Sequence, residues 1–361
     1  MIFIAKRDEL SIKVDYLSII FDSATVEKVI LGILGLPIEF FVRHSGHVKF
    51  KKYTVCYQLD SIRVYAEPPP DDDNPKGLGC YLVLTGKGCS DLEDCMIGQG
   101  KTFRDFFHAC DIRVRDGTYH LTRLDIAIDD KNEVPYFTME QIQRKCLKEE
   151  FISKSRTYRF VESSFDNGDT AKMVYIGDGK SNISYRFYDK DKEICGKNQL
   201  PIGEVGSWKQ TELQLRDEVA NEFSRLVKTS SRKLGELAFD FLGENLRFVT
   251  EDKGQINKSR WNTSRFWQRF LGAVKPLEMQ IDNATASLED TVKWLKDGGA
   301  LSAVKAISFL ESHNALNGLE SIDMMLSEAR YSTTLSVKII EHLHKAKKEE
   351  LIPMVREKIK I

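Results

Sequence analysis

The sequence has neither a charge bias nor a cysteine pattern that would assign it to a class at once. Its 53 basic residues nearly balance 54 acidic ones, so composition alone predicts no nucleic-acid partner. Its seven cysteines are an odd number and include no C-x-x-C pair, which argues against a disulfide framework and against a cysteine-bound zinc. Unpaired thiols are typical of a reducing compartment, and we expect a cytoplasmic location.

Long apolar runs are also missing. The N-terminal residues MIFIAKRDELSIK contain no apolar segment of signal-peptide length, so the sequence predicts no secretion. The most apolar run, 29–42, is too short to cross a bilayer and is interrupted by Pro37 and Glu39. We therefore expect no membrane partner.

The sequence does contain a series of alternating segments followed by helical ones. Up to about residue 250, apolar and polar residues alternate along several short runs, which predicts strands with two unlike faces. We expect an α+β fold with a mainly antiparallel sheet and helices on one face, followed by a helical C-terminal region. The predicted boundaries are 1–250 for the catalytic region, divisible into sheet halves of about 1–115 and 116–250, and 251–361 for the helical region.

One alternating segment, 180–193, carries an unusual tyrosine. Arg186 and Tyr188 share its polar face, and Lys190 follows two residues later on the same face. A phenol flanked by fixed cations is suited to attack a phosphodiester, because cations stabilise both the phenolate and the charge that grows on the phosphoryl oxygens. The alternative is a half-buried packing tyrosine beside solvated cations.

A second segment, 119–130, places two carboxylates on one face of a strand. Asp125 and Asp129 alternate with apolar residues on the opposite face. Like charges that close together repel, and a divalent cation bound between them would remove the repulsion, since Mg²⁺ takes oxygen ligands and often only one or two protein carboxylates. The alternative is the solvent-facing end of an ordinary strand.

A third segment, 208–219, has Glu212 and Gln214 on its polar face. If the three strands are neighbours in one antiparallel sheet, their polar residues gather on a single exposed face. A tyrosine, carboxylates and cations together are the components of metal-assisted phosphoryl transfer to a tyrosine. Residue spacing does not show that the strands are neighbours.

A basic and aromatic stretch, 253–275, follows these strands and contains no acidic residue. Cations contact phosphates and aromatic rings stack on unpaired bases, so the stretch predicts a DNA surface. The alternative is an amphipathic helix whose aromatic residues belong to the core. The candidate DNA-binding residues are Lys258, Arg260, Trp261, Arg265, Trp267 and Arg269.

Three motifs in this order resemble those of one known family. They are TRLDIAIDD (122–130), VYIGDGKSNISYRFYDKDKE (174–193) and WKQTELQLRDEV (208–219), with LVLTGKGC (82–89) as a weaker fourth. The chain resembles the Rep_trans-type rolling-circle replication initiators of Gram-positive plasmids and phages, together with the related relaxases of integrative conjugative elements. The resemblance spans about 10–245.

The resemblance implies a site-specific single-strand DNA endonuclease and strand transferase. Tyr188 would attack one phosphodiester at an origin hairpin, leaving a free 3′-hydroxyl and a covalent 5′-phosphotyrosine link. The partners implied are origin DNA, a host helicase and polymerase, and a second copy of the chain in a homodimer.

The same resemblance implies roles for the other polar residues. Asp125 and Glu212, with Asp129 as a third ligand, would hold a divalent metal, Mg²⁺ or Mn²⁺, on the scissile phosphate. Arg186 and Lys190 would contact phosphate oxygens. No strand carries His-x-His, so the metal site differs from the two-histidine kind used by other single-strand nickases.

Alternatives remain open at this stage. A conjugative relaxase would use the same chemistry as a replication initiator. A non-catalytic origin-binding protein would keep the basic stretch without needing Tyr188. A metal nuclease that activates water would need Asp125 and Glu212 but would leave no protein on the cut end.

Overall fold

The structure, a computed structural model, describes most of the chain. No helix among the described residues is long and apolar enough to cross a membrane. The described ranges are 10–22, 24–45, 53–66, 79–113, 119–165, 170–201, 203–273, 300–318, 320–328, 339–340, 342–343 and 346–357.

A ten-stranded antiparallel sheet dominates the fold. The strands in chain order are β1 (Leu10–Phe21), β2 (Val42–Ser45), β3 (Val55–Leu59), β4 (Ile62–Ala66), β5 (Cys80–Leu84), β6 (Tyr119–Asp130), β7 (Phe151–Ser153), β8 (Tyr158–Ser164), β9 (Thr170–Ile176), β10 (Ile183–Asp189), β11 (Lys209–Arg216), β12 (Leu246–Thr250) and β13 (Asn262–Thr263). Across the large sheet they run β2-β3-β4-β5-β1-β6-β11-β10-β9-β8, while β13, β12 and β7 form a separate small sheet.

Helices cover the apolar side of the sheet, which confirms the predicted fold class. The helices up to residue 273 are α1 (Gly86–Gly98), α2 (Phe103–Arg113), α3 (Met139–Leu147), α4 (Lys190–Asn198), α5 (Asp217–Thr229), α6 (Leu234–Asn245) and α7 (Arg265–Leu271), with a π-helix at Lys28–Leu34 and short 3₁₀ turns at Ile38–Phe40 and Lys258–Arg260. In α5, buried residues recur at helical spacing, at Ala220, Phe223 and Val227, so one stripe of the helix enters the core.

An aromatic cluster joins α7 to the sheet. Trp267 is fully buried, and its ring centroid lies 4.9 Å from that of Phe248 on β12 and 6.2 Å from that of Phe187 on β10. Its indole N–H donates to the Leu246 carbonyl at 3.1 Å. Helix α7 therefore belongs to the core beneath the sheet.

The large sheet has an internal symmetry that no repeat in the sequence indicates. Each half begins with a 12-residue strand, β1 or β6, and these two strands pair antiparallel at the centre. The last strand of each half, β5 or β11, returns to pair with the first, and the other strands continue outward by antiparallel neighbours. The halves are thus related by an approximate two-fold axis between β1 and β6.

This symmetry gives Tyr188 a counterpart. Tyr188 on β10 pairs with Gln210 on β11, which pairs with Asp129 near the end of β6. In the first half, Tyr65 on β4 pairs with Tyr81 on β5, which pairs with Ile20 near the end of β1.

An arginine stands two residues before each of these tyrosines, Arg63 before Tyr65 and Arg186 before Tyr188. The partner of Arg186 on the neighbouring strand is Glu212, whereas the partner of Arg63 is Val83. The arginine and the tyrosine therefore recur in both halves, but the carboxylate does not.

The described residues divide into two compact units. The first contains the described residues up to 92 and those from 102 to 273, and the second contains 93–101 and the described residues from 300 onward. The first unit therefore runs past the predicted boundary at 250, because α7 is buried with the sheet. The second unit includes helices Ala300–Ser312, Ile322–Glu328 and Ile352–Glu357.

The burial of Trp267 predicts a large stability effect. We expect Trp267→Ala to lower the free energy of unfolding by about 3–5 kcal/mol, because it removes a fully buried ring and leaves a cavity. Chemical denaturation followed by circular dichroism measures this change. Arg265→Ala, an exposed position on the same helix, is the control and should change stability by less than about 0.5 kcal/mol. Equal effects from both variants would contradict the assignment of Trp267 to the core.

Candidate active site on the central strands

The three strands that carry the predicted polar residues are neighbours. The order β6-β11-β10 confirms the adjacency that the prediction required. Directly paired residues of an antiparallel sheet point to the same face. Glu212 pairs with Arg186 on one side and with Ala127 on the other, and Gln214 pairs with Asp125. The polar face of these strands is called the central polar face below.

Tyr188 points into a hydrogen-bonded position on the central polar face. Its hydroxyl donates to Glu212 Oε1 at 3.0 Å and also contacts the side-chain oxygen of Gln210. Burial raises the pKa of Tyr188 well above its usual value, and the negative charges of Glu212, Asp15 and Glu193 raise it further. The free protein therefore holds Tyr188 as a neutral phenol.

Glu212 connects the tyrosine to an arginine. Its Oε2 accepts a hydrogen bond from Arg186 Nη1 at 2.8 Å, forming a salt bridge between adjacent strands. Burial raises the pKa of Glu212 to about 7 against the lowering effect of Arg186, and the carboxylates of Asp15 and Asp125 add to the rise. A carboxyl group with a pKa near neutrality can accept a proton at physiological pH.

Asp125 lies one strand further along. Arg123, two residues earlier on β6, donates to both of its oxygens, with Nε at 2.8 Å from Oδ1, and Gln214 Nε2 donates to Oδ2 at 3.3 Å. Burial raises the pKa of Asp125, while Arg123 opposes the rise. Like Glu212, this buried carboxylate is therefore only partly compensated by its arginine.

Asp129 is tied to the other end of the same network. Its Oδ1 accepts hydrogen bonds from Gln210 Nε2 and, at 2.8 Å, from Trp208 Nε1, and its Oδ2 lies 3.4 Å from Lys13 Nζ. Gln210 therefore links Tyr188 to Asp129 through its two side-chain atoms.

The central polar face is buried, which corrects the expectation of an exposed face. Tyr188 is 4% exposed and Glu212 is 3% exposed, and Asp129 has no exposed surface. The network of hydrogen bonds described above satisfies most of these polar groups without solvent. Any ligand must therefore open or displace part of this network to reach the tyrosine.

Lys190 does not extend the strand as predicted. The strand ends at Asp189, and Lys190 begins α4, so the period of two that placed it beside Tyr188 no longer applies. Its ammonium nevertheless lies 5.3 Å from the centroid of the Tyr188 ring and pairs with Glu193 at 3.1 Å. Lys190 therefore lies near Tyr188 as the first residue of a helix, not as a residue of the same strand.

Sequence reasoning overlooked two residues of the site. Asp15 lies at a β-bulge in β1, between Val14 and Tyr16, and its charge raises the pKa of both Glu212 and Tyr188. Lys13 and Asp15 do alternate with Ile12 and Val14, but the mainly apolar run that follows predicts a buried strand, so the segment gives no signal for a polar site. Gln210 could have been found, because it shares the alternating face with Glu212.

The residues fit a divalent cation by their chemistry. In the ranges that the structure describes, no group of three or more His, Cys, Asp or Glu side chains is arranged to hold a metal ion. Asp125 and Glu212 supply carboxylate oxygens, and Mg²⁺ often needs no more than two from the protein. Burial raises the pKa of both groups and neighbouring carboxylates add to the rise, and a bound cation would oppose it by favouring the ionised forms.

The described part of the basic and aromatic stretch, 253–273, divides by exposure. The prediction that Trp267 stacks on DNA bases is wrong, because its ring is fully buried in the core. Trp261 is half-buried, and its indole N–H donates to the Gln255 carbonyl at 2.6 Å. The cations Arg260, Arg265 and Arg269 are exposed, while Lys258 is half-buried over the ring of Phe151.

Comparison with protein families identifies the group to which the chain belongs. Residues 119–321 match the model described as "Replication initiation factor". The chain belongs to this family. Residues 11–109 match a second model, the "Rolling Circle replication initiation protein N-terminal domain". The two matches fall on the two symmetric halves of the sheet, and they confirm the resemblance drawn from the motifs.

Individual relatives agree with the family assignment. The chain is 32% identical over 321 residues to a Bacillus subtilis (strain 168) protein named "Putative DNA relaxase NicK", covering 88% of this chain and 85% of that protein. It is also similar to the solved structure of a rolling-circle replication initiator protein from Geobacillus stearothermophilus, with a TM-score of 0.60 and 27% identity. That similarity covers 75% of this chain and 98% of the other.

The raised pKa of Glu212 predicts a pH-dependent contribution to stability. The folded pKa of about 7 exceeds the ordinary 4.5, so the folded protein favours the protonated carboxyl. Relative to Glu212→Gln, the wild type should lose stability as the pH rises from about 4.5 to about 7, by up to ~3 kcal/mol. Urea denaturation of both proteins across this range measures the difference.

Glu222→Gln is the matched control, because Glu222 is an exposed carboxylate on α5. Its difference from wild type should stay constant over the same pH range. A constant difference for Glu212→Gln as well would show that its carboxyl titrates near its ordinary value.

Proposed function

We propose that the protein nicks and rejoins single-stranded origin DNA through a covalent link between Tyr188 and a 5′-phosphate. The supporting observation is the hydrogen bond of 3.0 Å from the Tyr188 hydroxyl to Glu212, whose other oxygen is paired with Arg186. A nucleophile, a base and a group that orients the base are the parts that activate a hydroxyl for attack. The family and the relatives, named as replication initiators and a relaxase, support DNA as the substrate.

The proposed reaction exchanges one phosphate ester for another. The Tyr188 oxygen forms a bond to phosphorus, and the bond from phosphorus to the 3′-oxygen of the preceding nucleotide breaks. The phenol proton leaves with Glu212, and the departing 3′-oxygen takes up a proton to become a free hydroxyl. Reversal of the same steps rejoins a strand without ATP, because the phosphotyrosine ester keeps the bond energy.

Glu212 is the proposed proton acceptor. Its pKa of about 7 leaves a large fraction ionised at neutral pH, and it is already hydrogen-bonded to the proton it would take. Arg186 holds the carboxylate in place and carries positive charge next to the developing phosphoryl charge. Lys190, over the Tyr188 ring, adds a second positive charge near the phenol.

Asp125 and Glu212 are the proposed ligands of a divalent metal, Mg²⁺ or Mn²⁺, with Asp129 as a further candidate. When bound, such an ion neutralises charge on the scissile phosphate and stabilises the departing oxygen. Gln210 would hold the Tyr188 hydroxyl and the Asp129 carboxylate in a fixed position relative to each other.

The wider role is initiation of rolling-circle replication in the cytoplasm, with conjugative strand transfer by the same chemistry as the alternative. The exposed cations Arg260, Arg265 and Arg269, with Lys258 and the half-buried Trp261, are proposed contacts for origin DNA. A host helicase and polymerase, and a second copy of the chain, are the further proposed partners.

The proposal predicts a covalent protein–DNA adduct. Purified protein is mixed with Mn²⁺ and a labelled hairpin oligonucleotide from the DNA beside its own gene, then run on a denaturing gel. We expect labelled protein from the wild type and none from Tyr188→Phe, because only the phenol oxygen can form the ester. EDTA should abolish the band.

Tyr65→Phe is the matched control, because Tyr65 occupies the symmetric strand position with an arginine at the same spacing. It should form the adduct as the wild type does. Cleavage without an adduct would indicate a nuclease that uses water. DNA binding without cleavage, unchanged in Tyr188→Phe, would leave only an origin-binding role.

A further inference from the structure

A row of four side chains crosses the sheet from the active site to its edge. Glu212 on β11 pairs with Arg186 on β10, Arg186 pairs with Tyr175 on β9, and Tyr175 pairs with Arg159 on β8. Because directly paired residues point to the same face, all four lie on the face that carries Tyr188. Strand β8 is the last strand of the sheet on this side.

The ring of Tyr175 holds the two arginines of the row. The guanidinium carbon of Arg159 lies 4.4 Å from the ring centroid, and that of Arg186 lies 5.4 Å from it. Such contacts attract a guanidinium to an aromatic ring and limit its motion. Both arginines are therefore oriented before any ligand arrives.

The two arginines differ in what else they contact. Arg186 is half-buried and already paired with Glu212. Arg159 is exposed, and within the described ranges its side chain makes no salt bridge or hydrogen bond. Its five N–H donors are free for an oxygen-rich ligand, and a guanidinium fork matches the oxygens of a phosphate.

The first half of the sheet provides an internal comparison. There the counterpart of Arg186 is Arg63, which pairs with Gln58 on β3, and Gln58 pairs with Val42 on β2. Gln58 and Val42 occupy the positions of Tyr175 and Arg159. The cation–aromatic–cation row therefore exists only in the half that contains Tyr188.

We propose that Arg159 binds a phosphate of the DNA strand close to the phosphate that Tyr188 attacks. Strand β9 separates β8 from β10, so the two backbones lie about 10 Å apart, a distance that a single-stranded substrate crosses within a few linkages. The strand would enter over the β8 edge, with Arg159 fixing its register. The inference rests on the proposed function and adds to it a binding residue at the edge of the sheet.

The test measures which phosphate Arg159 contacts. The protein carries Tyr188→Phe to prevent reaction, and the probe is the single-stranded hairpin oligonucleotide that forms the adduct with wild type. Each phosphate in turn is replaced by a neutral methylphosphonate. We expect one linkage near the nicked bond at which neutralisation weakens binding to the Tyr188→Phe protein but has no effect once Arg159→Gln is added.

Salt dependence gives a second readout. Arg159→Gln should weaken binding about tenfold and lower the slope of log affinity against log salt by about 0.7, the value for one contact to a single strand. Arg159→Lys should restore the slope, because it restores the charge. Arg225→Gln, an exposed arginine on α5, should change neither the slope nor the linkage profile.

The outcomes separate this inference from the proposed function. A normal adduct in wild type, with an unchanged slope and an unchanged linkage profile in Arg159→Gln, overturns the role of Arg159 alone. An equal loss of affinity in Arg225→Gln shows general electrostatic attraction and also overturns it. Failure of the wild type to bind or cleave any such oligonucleotide overturns both.

Discussion

The salt bridge between Arg186 and Glu212 is the interaction on which the site depends. It joins two adjacent strands on a face where Glu212 is buried and Arg186 is half-buried. Burying a carboxylate without a partner destabilises the folded state, and the salt bridge to the arginine offsets part of this desolvation cost for Glu212. The paired carboxylate in turn accepts a hydrogen bond from the Tyr188 hydroxyl, so the orientation of that hydroxyl follows from the pairing of the strands.

The pairing leaves the site incompletely neutralised. Burial raises the pKa values of Asp125 and Glu212, nearby carboxylates add to the rise, and the arginines beside them do not cancel it. In the proposed reaction, the site receives a divalent cation together with an anionic DNA strand. The cation offsets the negative charge of the carboxylates and of the strand, so each ligand lowers the electrostatic cost of binding the other.

Local sequence patterns predicted a good part of this arrangement. Alternation is a property of a single strand, so it assigned Asp125, Tyr188 and Glu212 to polar faces correctly. The order of the strands depends on pairings between residues far apart in the chain, such as Asp125 with Gln214, which are 89 positions apart, and no local pattern encodes it. The motif resemblance, unlike periodicity, indicated that the three strands contribute to one site.

The errors have equally specific causes. Lys190 was misplaced because the strand gives way to a helix at that residue, and a period of two does not show where it stops. Trp267 lies in a helix whose cations face solvent while its rings face the core, so composition alone suggested a DNA surface. Asp15 was missed because the strand that carries it is mainly apolar, which predicts a buried strand rather than a polar site.

The approximate two-fold axis of the sheet allows the surroundings of Tyr188 to be compared with those of an equivalent tyrosine in the same chain. Tyr65 and Arg63 reproduce the strand position and spacing of Tyr188 and Arg186 within the same chain. Around Tyr65 the neighbours are Tyr53, Cys56 and Val83 rather than carboxylates and amides. An arginine and a tyrosine on a strand are thus compatible with plain packing, and the residues of the adjacent strand decide whether carboxylates and amides surround the tyrosine.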